Sequence, residues 1–92
     1  MEIKVYATLR SVVGGPSVHL NDVLQITVGQ MLQELYDRYP ALRVYLFDNQ
    51  GNLHPAMHIL INGRDMRYLN GAETVVTPTD IIRIFPPVGG GS

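Results

Sequence analysis

The chain has 92 residues, which suits one domain built around one hydrophobic core. Its composition, 46% hydrophobic and 16% charged, is typical of a globular protein and excludes a disordered chain. A formal net charge of −1 gives no sign of the basic footprint that binds nucleic acid, nor of attraction to a membrane surface. Cysteine is absent, which excludes disulfides, thiolate metal ligands and cysteine nucleophiles.

The beginning of the sequence lacks the features of a secretory signal. The stretch "MEIKVYATLR" enters an alternating pattern at once, without a long apolar segment or a small-residue cleavage site. No run of about 18 apolar residues occurs in the sequence. These features predict a cytoplasmic protein that does not bind a membrane.

The first 26 residues predict a β-hairpin. Apolar residues alternate with Lys4, Tyr6 and Thr8, which indicates a half-buried strand whose inward side chains are Ile3, Val5, Ala7 and Leu9. Gly14 and Gly15 before Pro16 predict a turn. Residues 17–26 then form a second, less regular extended run.

One amphipathic helix follows the hairpin. Thr27 and Gln30 have the spacing of a capping box, so the helix is expected to begin there. Pro40 disfavours helical geometry at the residue before it and is expected to end the helix. The apolar stripe of this helix consists of Met31, Leu32, Leu35, Tyr36 and Tyr39.

The second half of the sequence predicts further strands. A short helical turn over residues 41–51 directs Leu42 and Leu46 inward, and Asn62-Gly63 predicts a type I′ turn between strands at 58–61 and 64–69. A final strand over residues 81–85 has Ile82 and Ile84 on one face, with Ile81, Arg83 and Phe85 on the other. The order strand, strand, helix, strands predicts an α+β fold with one main helix packed across a sheet.

The predicted domain contains no group of residues that could catalyse a reaction alone. The histidines do not have the spacing of a zinc site and are interpreted as strand-edge and turn residues: His19, His54 and His58. The acids that could pair for acid–base chemistry are interpreted as surface charge: Glu34, Asp37, Asp48 and Asp65.

The closing stretch "FPPVGGGS" differs from the rest of the sequence. Pro86 and Pro87 cannot extend a central sheet ladder, so the strand is expected to stop near Phe85 and the tail to project from the domain. The glycines that follow have no Cβ and can pass through a narrow channel in a partner. The only reactive group of such a tail is a backbone carboxylate.

This combination resembles a known family. The element order is similar to the ubiquitin-like β-grasp, and "IIRIFPPVGGG" looks like the ending of the MoaD/ThiS-type sulfur carriers; "HILINGRDMRYLNG" is also similar to a stretch of many members. The resemblance implies a β-grasp domain over residues 1–88, with a mixed sheet of four to five strands, and a flexible reactive tail over residues 89–92.

The resemblance also implies a chemistry and its partners. Gly90 and Gly91 correspond to the functional pair, Gly89 to a variable small residue, and Ser92 to an extra residue that a processing peptidase removes. A ubiquitin-activating-type enzyme uses ATP to adenylate Gly91, and a persulfide or sulfide source converts it to a thiocarboxylate. The chain itself is a carrier without a bound cofactor. A sulfur-accepting synthase then uses the thiocarboxylate to make molybdopterin, cysteine or another thiolated product.

The surface that binds the activating enzyme is expected at the last strand and its exit. The residues assigned to it are Arg83, Phe85, Pro86, Pro87, Val88 and Gly89. An exposed aromatic residue beside a projecting tail suits a groove in a large enzyme, although Phe85 can also simply pack over the sheet edge.

Two other functions fit the sequence. The chain could be a protein modifier joined through its terminal glycine to lysines of targets, or a non-covalent β-grasp binding module whose "GGGS" is only a linker. Lys4 is the only lysine, which excludes homopolymer chains through several lysines.

Overall fold

The computed structural model describes residues 1–20 and 25–87. Five strands form a mixed sheet: β1 (Glu2–Val5), β2 (Ser17–His19), β4 (His58–Ile61), β5 (Arg64–Asp65) and β7 (Ile82–Phe85). Their order in the sheet is β2-β1-β7-β4-β5. Strand β1 is antiparallel to β2 and parallel to β7, whereas β4 is antiparallel to both β7 and β5. This arrangement confirms the predicted α+β class and the mixed sheet.

The main helix, α2 (Val28–Arg38), begins and ends where the sequence predicts. The Gln30 backbone N–H donates to Thr27 Oγ1 at 3.1 Å, and the Thr27 backbone N–H donates to Gln30 Oε1 at 2.9 Å, which completes the capping box. The helix stops two residues before Pro40. Its stripe faces the sheet: Met31, Leu32 and Leu35 are buried, whereas Tyr36 and Tyr39 are partly buried.

One core fills the space between the inner face of the sheet and α2. The fully buried members that β1, β4, β7 and α2 contribute include Ile3, Met31, Leu35, Ile59, Ile82 and Ile84. A 3₁₀ turn (Pro40–Leu42) and α3 (Arg43–Leu46) add the buried side chains of Leu42 and Leu46, as predicted. A second pair of strands, β3 (Ile26–Thr27) and β6 (Val75–Val76), lies beside the start of α2.

The first strand is shorter than the sequence predicts. Strand β1 stops at Val5, and Ala7 has a φ of 53°, which redirects the chain into a short helix, α1 (Thr8–Val13). Leu9 is buried from this helix, so the prediction that Ala7 and Leu9 lie in the strand is wrong. Val12 follows Leu9 by three residues and Val13 follows it by four, which is the spacing of apolar residues on one face of a helix. From Leu9 onwards this helical pattern replaces the alternating pattern of a strand.

The turn after α1 confirms the prediction at the two glycines. Gly14 adopts a φ of 84°, and the N–H groups of Gly14 and Gly15 both donate to the carbonyl of Arg10. Strand β2 covers only the beginning of the predicted second strand, and Ile26 belongs to the separate β3–β6 pair. Residues 21–24 lie outside the part of the chain that the structure describes.

The hairpin between β4 and β5 has the predicted tight turn. Asn62 and Gly63 have φ values of 52° and 84°, the two positive angles that a type I′ turn needs. The following strand is shorter than predicted, because β5 ends at Asp65 and a 3₁₀ turn (Met66–Tyr68) replaces the rest. Another 3₁₀ turn, Gly71–Glu73, precedes β6.

Asn62 also connects this hairpin to the loop before β7. Its side-chain oxygen accepts from the Ile81 N–H at 2.8 Å, and its side-chain nitrogen donates to Asp80 Oδ1 at 3.0 Å. Asp80 Oδ2 accepts from the Thr77 N–H at 2.8 Å. The hydrogen bond from Asn62, followed by that from Thr77, lowers the pKa of Asp80 below its ordinary value of 3.8. The carboxylate therefore helps to fix the entry into β7.

The lowered pKa of Asp80 predicts a pH-dependent contribution to stability. The folded state favours the carboxylate, so the contribution is present above the ordinary value of 3.8 and is lost as the pH falls through the lower folded pKa. We expect Asp80→Asn to be less stable than the wild type by about 1 kcal/mol near pH 7. The difference should narrow as the pH is lowered below about 4 in a series of urea unfolding curves.

The variant Asn62→Ala controls for the source of this effect. In that background the further change Asp80→Asn should cost less, because the largest cause of the lowered pKa has been removed. If the difference in the free energy of unfolding between Asp80→Asn and the wild type did not change with pH, the stability contribution assigned to the ionised Asp80 carboxylate would be wrong.

Candidate functional site

The last strand of the sequence lies in the middle of the sheet. Strand β7 pairs with β1 on one side and with β4 on the other, and it ends at Phe85. Pro86 is buried against the domain and Pro87 is partly buried, so the exit from the sheet is packed as far as the second proline. The predicted tail residues lie outside the residues that the structure describes: Val88, Gly89, Gly90, Gly91 and Ser92.

The strand presents two different faces, as its alternation predicts. Ile82 and Ile84 are buried in the core, whereas Arg83 and Phe85 point to the outer face of the sheet, the one away from α2. Across that face, Arg83 is in register with Lys4 of β1 and with Leu60 of β4. Phe85 is in register with His58 of β4.

An aromatic stack covers the outer face beside the exit. The rings of Tyr6 and Phe85 are almost parallel, at 8°, and their centroids are 4.3 Å apart. The Arg10 guanidinium carbon lies over the Tyr6 ring, 5.0 Å from its centroid, and Arg83 Nε donates to the Tyr6 hydroxyl at 3.2 Å. Arg10 Nε also donates to the Val5 carbonyl at 2.9 Å. These contacts hold two aromatic rings and two guanidinium groups in one fixed cluster.

The stack combines both interpretations of Phe85 that the sequence allowed. The ring is partly buried against Tyr6, so it packs on the sheet, and it keeps an accessible portion next to the exit of the chain. Its role in binding a partner stays a prediction, as does that of Arg83. Sequence reasoning missed Tyr6 and Arg10; the outward position of Tyr6 in the alternation was the available signal for the first.

A second polar cluster lies at the edge of the same face. His58 Nδ1 is 3.3 Å from Asp65 Oδ2, and the Arg67 guanidinium is 3.4 Å from the same carboxylate oxygen. Arg67 also donates to the carbonyls of Pro55 and Met57. Burial alone would raise the pKa of Asp65, but hydrogen bonds from the Arg67 N–H and from His58, with their positive charges, lower it. This cluster fixes the loop that leads into β4.

Neither cluster resembles a metal site or a membrane segment. Within residues 1–20 and 25–87, no three His, Asp or Glu side chains are grouped closely enough to hold a metal ion. His19 is exposed on β2, and His54 accepts a hydrogen bond from the Ala56 N–H inside its own turn. In the same ranges, no helix is long and apolar enough to cross a membrane.

The comparisons with known proteins agree with this geometry. The model of the ThiS family matches residues 3–91, which includes the two consecutive glycines at positions 90 and 91. The chain belongs to the ThiS family. Among the relatives of this ThiS-family chain, small archaeal modifier protein 3 of Haloferax volcanii is 35% identical over 99% of the chain and 98% of the relative.

Two further relatives are a sulfur carrier protein and a small archaeal modifier protein. Sulfur carrier protein CysO of Mycobacterium tuberculosis is 31% identical over 71% of this chain and 72% of its own length. The crystal structure of SAMP1 from Haloferax volcanii superposes with a TM-score of 0.82 at 31% identity, covering 98% of this chain and 97% of that one. These relatives confirm the ubiquitin-like β-grasp and show that the ThiS-family chain is a small carrier or modifier protein and not itself an enzyme.

The aromatic stack predicts a measurable loss of stability in one variant. We expect Phe85→Ala to lower the free energy of unfolding by about 1–2 kcal/mol, because it removes a partly buried ring and its stacking partner. Tyr6→Phe is the matched control, since it keeps both rings and loses only the hydroxyl that accepts from Arg83; it should cost less than about 1 kcal/mol. Urea unfolding checks both values. Equal stability of Phe85→Ala and wild type would show that the stack does not support the fold.

Proposed function

We propose that this chain is a sulfur carrier whose Gly91 carboxylate is adenylated and then converted to a thiocarboxylate. The observation that carries the proposal is the family match through residue 91, at the end of a chain that leaves a packed sheet through Pro86 and Pro87. By contrast, the aromatic stack and the cluster around Asp65 form contacts that hold strands and loops of the folded domain in place. The chemistry is therefore assigned to the tail, and the domain supplies the surface by which an enzyme recognises it.

The first step forms a good leaving group. A carboxylate oxygen of Gly91 attacks the α-phosphorus of ATP in the active site of the activating enzyme, and pyrophosphate departs. The resulting acyl adenylate is a mixed anhydride, which is much more electrophilic than the free carboxylate. All the catalytic groups for this step belong to the enzyme, and the carrier contributes a glycine end that fits a narrow channel.

The second step installs the sulfur. Sulfide attacks the acyl carbon, the bond from carbon to the phosphate oxygen breaks, and AMP leaves with that oxygen. When the donor is a protein persulfide, the product is an acyl disulfide, and a second thiol must reduce it to release the thiocarboxylate. The carrier then holds sulfur as a soluble covalent donor for a synthase that makes molybdopterin, cysteine or another thiolated product.

A modifier function shares the first step and is the second candidate. The observation that favours it is the 35% identity to small archaeal modifier protein 3, over nearly the full length of both chains. In this case a lysine amine of a target protein attacks the acyl adenylate, and the product is an isopeptide. The identity of the nucleophile, sulfur or nitrogen, therefore separates the two functions after a common activation.

The residues after Gly91 have to be removed before either reaction, Ser92 included. A carboxylate on Ser92 would lie about 3.5 Å beyond the reacting position, and near-attack geometry tolerates little displacement. The serine side chain would also need space that a glycine channel lacks. A peptidase that cleaves after Gly91 is therefore part of the proposal.

Reconstitution tests the proposal directly. The chain ending at Gly91 and the chain that retains Ser92 are each incubated with ATP, sulfide and the activating enzyme of the same organism, and intact masses are measured. We expect the first chain to gain the mass difference between sulfur and oxygen and the second to stay unchanged. Equal thiocarboxylate yield from both, with Ser92 retained, would contradict the maturation step, and an adduct on proteins without thiocarboxylate would favour the modifier.

The fit of the tail in its channel predicts the effect of an added methyl group. Gly91→Ala, in the chain ending at position 91, should reduce adenylation by at least about 100-fold, because the Cβ lies beside the reacting carboxylate. Release of pyrophosphate measures this rate. Ala72→Gly, a change of the same size on the folded domain, is the control and should be activated normally. Adenylation of Gly91→Ala at the rate of the unchanged chain would contradict the proposal that the tail passes through a narrow channel of the activating enzyme.

A further inference from the structure

An open hollow lies where β1, β2 and α1 meet, beside the aromatic stack. It has a volume of about 280 Å³ and is lined by Glu2, Lys4, Tyr6, Arg10, Pro16 and Ser17. Lys4 is in register with Ser17 of β2 on one side and with Arg83 of β7 on the other. Two cations and one carboxylate therefore line the hollow, and a third cation lies next to it, although the whole chain has a net charge of −1.

The Arg10 guanidinium is fixed at this hollow by its Nε atom and by the Tyr6 ring. Nε donates to the Val5 carbonyl at 2.9 Å, and the guanidinium carbon lies 5.0 Å from the ring centroid. Within residues 1–20 and 25–87, the terminal Nη groups of Arg10 donate to no protein acceptor, and Lys4 forms no ion pair within 4 Å. A guanidinium fixed in this way can donate two parallel hydrogen bonds to an anion with little further loss of freedom.

The charge of the lining selects the kind of anion. A phosphate group carries nearly two negative charges at neutral pH, and the Glu2 carboxylate in the same lining would repel it. A carboxylate carries one charge, and its two oxygens match the two parallel donors of a guanidinium. The hollow therefore suits a single carboxylate better than a phosphate.

One such carboxylate belongs to the chain itself. Phe85, where β7 ends, stacks on Tyr6 with the ring centroids 4.3 Å apart, and Arg10 lies over the same Tyr6 ring. Gly91 follows Phe85 by six residues, which span up to about 20 Å when extended. This span exceeds the distance from the Phe85 ring to the Arg10 guanidinium, so a carboxylate on Gly91 can reach the hollow.

We infer that the hollow is a carboxylate-binding site, in which Arg10 and Lys4 bind the terminal carboxylate of the chain's own Gly91. The inference rests on the proposed function, because it takes Gly91 as the end of the mature chain, and it adds a binding site for that end on the domain. A thiocarboxylate has the same charge and a similar shape, so it binds in the same way. An isopeptide is neutral and does not.

The binding is reversible, because ion pairs between exposed groups contribute little free energy and are screened by salt. The free carrier thus holds its reactive group on its own surface, and a partner enzyme has to remove that group from Arg10 and Lys4 before it can enter a channel. The low affinity of the site makes this removal easy.

Paramagnetic broadening in NMR spectra tests the inference. The chain contains no cysteine, so Ser11→Cys gives a single attachment point for a nitroxide label, next to Arg10 on α1. The label is placed on the chain ending at Gly91, and broadening of the Gly90 and Gly91 amide signals is measured. The matched control is the same labelled chain with an amide in place of the terminal carboxylate, which differs only in that group.

We expect the amide to reduce the broadening of the Gly91 signal by at least about twofold, in keeping with the strength of an exposed ion pair. High salt should abolish the difference between the two chains. Lys4→Gln and Arg10→Gln should reduce the broadening as the amide does, whereas Arg43→Gln, at an exposed cation outside the hollow, should not. If Arg10→Gln disturbs α1, the amide and Lys4→Gln decide the result.

The outcomes separate this inference from the proposed function. Equal broadening in the carboxylate and amide chains would overturn the binding site, whatever the yield of thiocarboxylate in the reconstitution. Broadening that depends on the carboxylate, together with a chain that is never adenylated, would overturn the carrier function and leave the site in place. Broadening that appears when a nitroxide-labelled chain is mixed with a second, isotope-labelled chain would assign the carboxylate to another copy and overturn the inference.

Discussion

Strand β7 pairs with β1 on one side and with β4 on the other, and the remainder of the structure depends on this double pairing. The parallel pairing with β1 requires a long connection, which contains α2 and the other elements between the two strands. The same pairing puts Ile82 and Ile84 into the centre of the core. The segment that leads to the tail is therefore among the most firmly held parts of the domain, although it follows every other element in the sequence.

This arrangement links the core to the proposed chemistry through one strand. The inward residues of β7 fix the position of the strand, and its outward residues, Arg83 and Phe85, form the surface next to the exit. Pro86 extends the packed region by one residue, and neither proline could continue the ladder. The outer face of the domain is thus a rigid surface next to the point where the chain leaves the sheet. Under the proposed function, the reaction takes place on the tail beyond it.

Much of the fold could be predicted because its signals are local. The capping box at Thr27 and Gln30 and the Asn62-Gly63 turn each depend on residues within a few positions of one another. The strand assigned to Ala7 and Leu9 was wrong because the alternation continues as far as Leu9, which is also the first residue of the helical spacing with Val12 and Val13. The positive φ of Ala7 has no signal in the sequence. Contacts such as Tyr6 with Phe85 and Lys4 with Arg83 depend on strand order, which periodicity does not specify.

The state of Gly91 in the native cell tests the central claim most directly. The protein is isolated from its own organism under conditions that preserve thioacids, and its intact mass is measured before and after treatment with an alkylating reagent specific for sulfur nucleophiles. We expect a chain that ends at Gly91, with one oxygen replaced by sulfur and one alkyl group added by the reagent. A chain that retains Ser92 with an ordinary carboxylate, or one found only as isopeptide adducts on other proteins, would contradict it.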